Sequence, residues 1–82
     1  MNNIIKEEIK TIISKVARID KNLIEDNISL RNDLWIDSLQ AIQIVAIVEE
    51  KYNIKIDGVE IFNVDNVIEI VELIEEYKKE SG

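Results

Sequence analysis

Ser38 is the residue best placed to do chemistry, within the stretch Asp33-Leu34-Trp35-Ile36-Asp37-Ser38-Leu39-Gln40. Asp37 reads as a helix N-cap, because its carboxylate can accept from a free backbone N–H two or three residues on. Gln40 stands three residues after Asp37 and completes a capping box. Ser38 then falls in the first turn, where unpaired N–H groups and the positive end of the helix dipole favour an anionic group. A serine hydroxyl at that place suits a covalently attached phosphate ester.

Other chemistry is closed to this serine. The chain has no histidine, so the adjacent Asp37 and Ser38 cannot belong to a Ser-His-Asp triad. Neighbouring residues at a helix start also point in different directions, which makes Asp37 a poor base for Ser38. Serine–lysine catalysis needs a lysine brought to Ser38, and no sequence signal places one there. There is no cysteine, hence no disulfide framework, thiolate nucleophile or cysteine metal site. The many carboxylates show no EF-hand or other metal-ligand spacing, and there is no glycine-rich phosphate loop. We therefore expect no catalytic residues, no metal site and no enzyme activity in the chain itself.

Asp33-Leu34, the Asp37-Ser38-Leu39 motif and the apolar-acidic segment down to Glu49-Glu50-Lys51-Tyr52 resemble an acyl carrier protein. The resemblance runs through nearly the whole chain, because the later helices are spaced to match. It implies that Ser38 carries phosphopantetheine, attached covalently from coenzyme A, with Asp37 and Leu39 as the flanking motif. The thiol of that arm holds acyl groups as thioesters. The resemblance further implies a phosphopantetheinyl transferase as partner. It adds acyl-loading, acyl-transferring or condensing enzymes of fatty-acid or polyketide-type pathways, with basic docking patches. The exposed side of the helix after Ser38 is the docking face on this reading, with Gln40, Gln43, Glu49, Glu50 and Trp35 as its residues.

The chain departs from the family pattern at two places. Gln40 and Gln43 stand where family members often carry Asp or Glu, which leaves only Glu49 and Glu50 acidic on that helix. A specialised pathway gains plausibility from this thinner charge. Trp35 occupies a position that is usually glycine, and a tryptophan is strained there if the backbone needs positive φ. Trp35 either packs on the bundle or offers an apolar surface to the arm or a partner.

The elements that must hold Ser38 follow from periodicity. Ile5, Ile9, Ile12, Ile13 and Val16 recur at helical spacing and predict a helix over 3–17, with Lys15 and Arg18 at its negative end. Residues 19–36 form a long connection rich in turn formers. Its Ile19, Leu23, Ile24, Ile28, Leu30 and Leu34 should pack it along the bundle, with one helical turn near Lys21 to Ile24. Long ordered loops are often functional, and this one would deliver Ser38 to the surface.

The second helix is expected from about Ser38 to Tyr52, with Ile42, Val45, Ala46, Glu49 and Tyr52 as its one-face series and Ile44 and Ile47 off the main stripe. Asn53 suits a left-handed end. Residues 54–58 read as an extended loop, and 59–62 as a short third helix placed by analogy with the family. Asp65 can cap a fourth helix over about 66–79, with Val67, Ile68, Val71, Ile74 and Tyr77 inward. Ser81-Gly82 should fray.

These 82 residues predict one all-α domain spanning 1–82, an acyl-carrier-like antiparallel bundle of three main helices and one short one. Apolar residues reach 46% with only 5% aromatic, so the core should be aliphatic and mostly isoleucine. The net charge of −7 argues against nucleic acid and for basic partners. The longest apolar run, Ile44 to Val48, is too short to span a bilayer, and the N-terminus shows no signal-peptide pattern. We expect a cytoplasmic monomer with no membrane insertion. The composition, rich in Ile, Asn and Lys, hints at an AT-rich bacterial genome. Two alternatives stay open: an aminoacyl or peptidyl carrier, which often has a Gly-Gly pair that is missing here, and an unmodified acidic helical interaction module.

Overall fold

The structure, a computed structural model, describes residues 3–81. Its helices are α1 (Asn3–Ala17), α2 (Ser38–Tyr52), α3 (Gly58–Asn63) and α4 (Val67–Ser81), with a single 3₁₀ turn at Lys21–Leu23. Among the described residues there is no strand, and 54–57 is an extended loop, one residue shorter than the expected 54–58 because the Asp57 cap starts α3 at Gly58. The fold is the small antiparallel bundle the sequence predicts, with α1 packed against both α2 and α4. Among the described residues no helix is long and apolar enough to cross a membrane. α4 runs on through Ser81, which was expected to fray, and the fraying expected at Gly82 lies outside the described residues.

α1 buries Ile5, Ile9, Ile12 and Ile13, one face of the predicted series, with Val16 half-buried beside them. It ends because Arg18 turns left-handed at φ 58°. The Ile19 N–H then reaches back to the Ser14 carbonyl at 3.2 Å, the closing bond of a Schellman motif. α2 ends the same way: Asn53 sits at φ 54° and the Ile54 N–H bonds the Glu49 carbonyl at 3.1 Å. Asparagine tolerates that conformation better than most residues, which is why the helix stops there.

Among the described residues, ten of the fourteen buried apolar side chains are isoleucine, so the core consists mostly of β-branched groups with little χ1 freedom to lose. Each such side chain contributes about 1.5–3 kcal/mol when fully buried. Three of the fourteen, Ile24, Leu30 and Ile36, come from the long connection between α1 and α2. That connection is therefore an integral part of the bundle.

Two expectations about helix faces need correction. Ile44 is 3% exposed and Val48 1%, whereas Ile42 is 59% exposed and Ala46 lies outside. The inward series of α2 is Ala41, Ile44, Val45, Val48 and Tyr52, and Ile44 lies at its centre. The reason is that α2 is apolar nearly all round in its first turns, so spacing alone does not choose the face. In α4, Ile70 is buried, and Ile68 is only half-buried.

The cap of α4 also differs from expectation. Asn66 accepts from the Glu69 N–H at 2.9 Å, and the Glu69 carboxylate reaches back to the Asp65 N–H at 2.8 Å. Asp65 is freed to hold the long loop. Its carboxylate accepts from the Ser29 hydroxyl and from the Arg31 N–H, the latter at 3.1 Å. Its carbonyl takes the Leu30 N–H at 2.8 Å. The Arg31 guanidinium in turn donates to the carbonyls of Phe62 and Val64, each at 2.8 Å, and so ties the end of α3 to the same loop.

Polar clasps join the helices elsewhere. Asp26 takes Lys6 at 3.2 Å and Lys10 at 2.7 Å, and hydrogen bonds from Lys10 and then Lys6 hold its carboxyl below the usual range. α3 buries none of its residues. It is held by the Asp57 cap on Val59, by a Tyr77–Glu60 hydrogen bond and by the Tyr77 hydroxyl accepting from the Asp57 N–H at 2.9 Å.

Candidate functional site: the start of α2

Ser38 is the first residue of α2 and is exposed. Asp37 before it is extended, with φ −88° and ψ 178°, and its carboxylate accepts from the Gln40 N–H at 2.8 Å. The Gln40 side-chain oxygen accepts from the Asp37 N–H at 3.3 Å, so both halves of the predicted capping box form. The Asp37 carbonyl takes the first helical bond, from the Ala41 N–H at 2.9 Å. Helix geometry leaves the N–H groups of Ser38 and Leu39 without intrahelical acceptors. The Ser38 hydroxyl has no hydrogen-bond partner among the described residues. The result is a free hydroxyl at the positive end of a capped helix, with the Asp37 carboxylate already engaged by the Gln40 N–H.

The loop that presents Ser38 is closed by its own backbone. The N–H groups of Asp33 and Leu34 return to the Ser29 carbonyl at 3.0 and 3.2 Å, and the Asp33 carboxylate takes the Ser29 N–H at 3.1 Å. Trp35 then turns left-handed at φ 57°, which lets the Ile36 N–H reach the Leu30 carbonyl at 2.9 Å. Ile36 enters the core at 6% exposure, and Trp35 stands outside at 83%. Of the two placements weighed from sequence, packing on the bundle is the one the structure rejects. The left-handed region costs a residue with a Cβ about 1–2 kcal/mol, so Trp35 occupies a position that would suit glycine.

The remaining predicted site residues separate. Leu39 is 66% exposed beside Ser38. Gln40 is half-buried and spends its side chain on the cap. Gln43 and Glu50 are exposed on α2. Glu49 is half-buried, and its carboxylate accepts from the Ile56 N–H at 2.8 Å, which anchors the loop after α2. Of the two glutamates assigned to docking, only Glu50 is left unengaged on the surface. Ile42, 59% exposed, joins this face instead. Its signal was present in the sequence as an excess of apolar residues on α2 over what one buried face can take.

Comparison with known proteins fits this geometry. Residues 7–74 match the family described as a phosphopantetheine attachment site. The acyl carrier protein of Brachyspira hyodysenteriae is 35% identical over 74 residues, covering 89% of this chain and 95% of that one. The acyl carrier protein of Buchnera aphidicola is 32% identical over 79 residues, covering 96% of this chain and 99% of that one. A solved structure of a Mycobacterium tuberculosis protein proposed to be an acyl carrier superposes with a TM-score of 0.82 at 26% identity, covering 89% of this chain and 97% of that one. The chain belongs to the acyl carrier protein family, whose members hold acyl groups on a covalently attached phosphopantetheine.

Proposed function

We propose that Ser38 is the attachment residue and that the chain carries acyl groups for fatty-acid or polyketide-type synthesis. The observation that carries this reading is the exposed, unpartnered Ser38 hydroxyl at the first position of a capped helix, inside the matched family region. Attachment forms a bond between the Ser38 oxygen and the pantetheine-side phosphorus of coenzyme A. The pyrophosphate P–O bond breaks, adenosine bisphosphate leaves, and a base on the transferase takes the hydroxyl proton. The residues present suit the product. The unpaired N–H groups of Ser38 and Leu39 and the helix dipole offset the new phosphodiester charge by roughly 0.3–1 kcal/mol. When attached, the arm supplies the thiol that bears the acyl group. The chain itself positions that arm, and partner enzymes do the chemistry. Those partners are a phosphopantetheinyl transferase and enzymes that load, transfer or condense acyl groups.

The test is intact mass after incubation with coenzyme A and broad-specificity phosphopantetheinyl transferases. The unsubstituted chain should gain one phosphopantetheine, and Ser38→Ala none. Modification of Ser38→Ala would move the site elsewhere. Failure of the unsubstituted chain with every transferase would favour an unmodified interaction module.

A further inference from the structure

A groove of about 280 Å³ lies on the seam between α1 and α2. Glu8, Thr11, Ile12 and Lys15 line it from one side of α1, as their helical spacing allows, and Ile47 and Lys51 line it from α2. Ile12 at 7% exposure and Ile47 at 42% supply its apolar surface. Ile47 follows Ser38 by about two and a half helical turns, which puts it on the opposite side of α2 and about 13 Å along the axis. The groove is therefore separate from the attachment site.

Nearly every polar group in this groove is already engaged. The Thr11 hydroxyl donates to the Glu7 carbonyl at 3.0 Å. The Glu8 carboxylate accepts from the Tyr52 hydroxyl at 2.5 Å and pairs with the Lys51 ammonium at 3.2 Å. Lys15 differs: it is exposed, and its ammonium has no ion-pair or hydrogen-bond partner among the described residues. The groove thus has a closed ion pair at one end, a free cation at the other, and isoleucine between. The two ends are about 10 Å apart along α1.

We propose that this groove binds a small amphipathic monocarboxylate, with the carboxylate at Lys15 and the apolar body along Ile12 and Ile47. Charge complementarity fixes the orientation, because the reverse pose would set the carboxylate against Glu8. It also selects the occupant. A monocarboxylate brings one negative charge to a chain of net charge −7, whereas an acidic protein segment or an anionic bilayer brings many and is repelled. The volume stands near the small end of ligand sites, which suits a short alkyl body. Binding covers the exposed part of Ile47 and bridges α1 to α2, so the ligand stabilises the bundle while leaving Ser38 open. The proposal does not rest on attachment at Ser38.

The experiment titrates the isotope-labelled full chain with octanoate and follows backbone amide NMR signals. Saturable shifts are expected at Thr11, Ile12, Lys15, Ile47 and Lys51, with a Kd of about 1 mM for a half-open groove and one exposed ion pair. Lys15→Gln and Ile47→Gln should each weaken binding about fivefold, and Lys15→Arg should stay within about twofold. Octanol, which lacks the charge, should bind about fivefold more weakly than octanoate. Circular-dichroism melts should show all three variants folded, because the substituted side chains lie outside the core.

Absence of saturable shifts up to about 20 mM octanoate would overturn the site. So would equal affinity for octanol and octanoate, or an undiminished affinity in Lys15→Gln, since either removes the cation from recognition. Shifts concentrated at Ile9, Ile44 and Val71 would place the alkyl chain in the core and reject the groove. Ser38→Ala should bind octanoate as the unsubstituted chain does. Lost binding in that variant would move the ligand to the other side of α2 and overturn the proposal, and failed phosphopantetheine attachment would leave it standing.

Discussion

The Tyr52 hydroxyl donates to the Glu8 carboxylate at 2.5 Å and so fastens the end of α2 to α1. Lys51 joins the same carboxylate at 3.2 Å, and the Lys78 ammonium lies 5.7 Å from the centre of the Tyr52 ring. Three helices thus meet at one phenol. Burial first, then the Glu8 hydrogen bond, pushes the Tyr52 hydroxyl above its ordinary value, and the Tyr52 hydrogen bond is the main cause of a lowered Glu8 carboxyl.

The signs of these shifts set a pH profile. A depressed Glu8 contributes stability above the ordinary carboxylate range and loses it as pH falls through its folded value. A raised Tyr52 contributes stability below the ordinary phenol value and loses it as pH rises through its folded value. Tyr52→Phe should cost about 1 kcal/mol near neutrality, since Glu8 is partly solvated. It should also flatten both flanks of the stability curve. Urea melts across pH check this, and a variant with unchanged flanks would detach the clasp from the pH dependence.

Ile42 and Ile44 separate the two faces of α2. Ile44→Ala removes a side chain that is 3% exposed and should destabilise by about 2–5 kcal/mol. Ile42→Ala removes one that is 59% exposed and should stay within about 0.5 kcal/mol. Parallel denaturant titrations decide it, and equal losses would restore the face expected from spacing alone.

The same pair shows where sequence reasoning runs out. α1 was legible because Ile5, Ile9, Ile12 and Ile13 alternate with charges, so only one face can go inward. α2 carries Leu39, Ala41, Ile42, Ile44, Val45, Ala46, Ile47 and Val48, and its rotation is decided by what α1 and the loop leave open. The capping box of Asp37 and Gln40 was readable because it is local chemistry. Asp65 was not, because its partners Ser29 and Arg31 are distant in the chain and only the fold brings them together. Likewise the tie between Glu49 and Ile56 spans a helix end that no local pattern fixes.

Trp35 allows the cost of a left-handed side chain to be measured without disturbing the core. Trp35→Ala keeps a Cβ at φ 57°, and Trp35→Gly removes it. Glycine should therefore be the more stable of the two by up to about 1 kcal/mol, the strain relieved being partly offset by its larger unfolded-state freedom. Thermal melts of the two variants read the difference directly. Alanine more stable than glycine would show that the turn relaxes once the indole is gone.

Asp37 and Ser38 should divide stability from chemistry. The Asp37 carboxylate satisfies the Gln40 N–H, so Asp37→Ala leaves that donor to solvent and should cost about 0.5–2 kcal/mol. Asp37→Asn keeps an acceptor at the cap and should recover most of the loss, because Asn and Asp cap almost equally well. The Ser38 hydroxyl holds nothing in the fold, and alanine is the better helix former, so Ser38→Ala should melt at or slightly above the parent temperature. In the transferase reaction the order should invert. Ser38→Ala should gain no mass, while Asp37→Asn should still gain one phosphopantetheine, since it retains the hydroxyl and the capped helix that presents it. Mass spectra and melts on the same four proteins test both halves. A Ser38→Ala variant that unfolds easily would give the hydroxyl a structural role, and an Asp37→Asn variant that folds well but gains no mass would make the Asp37 charge itself a requirement of the transferase.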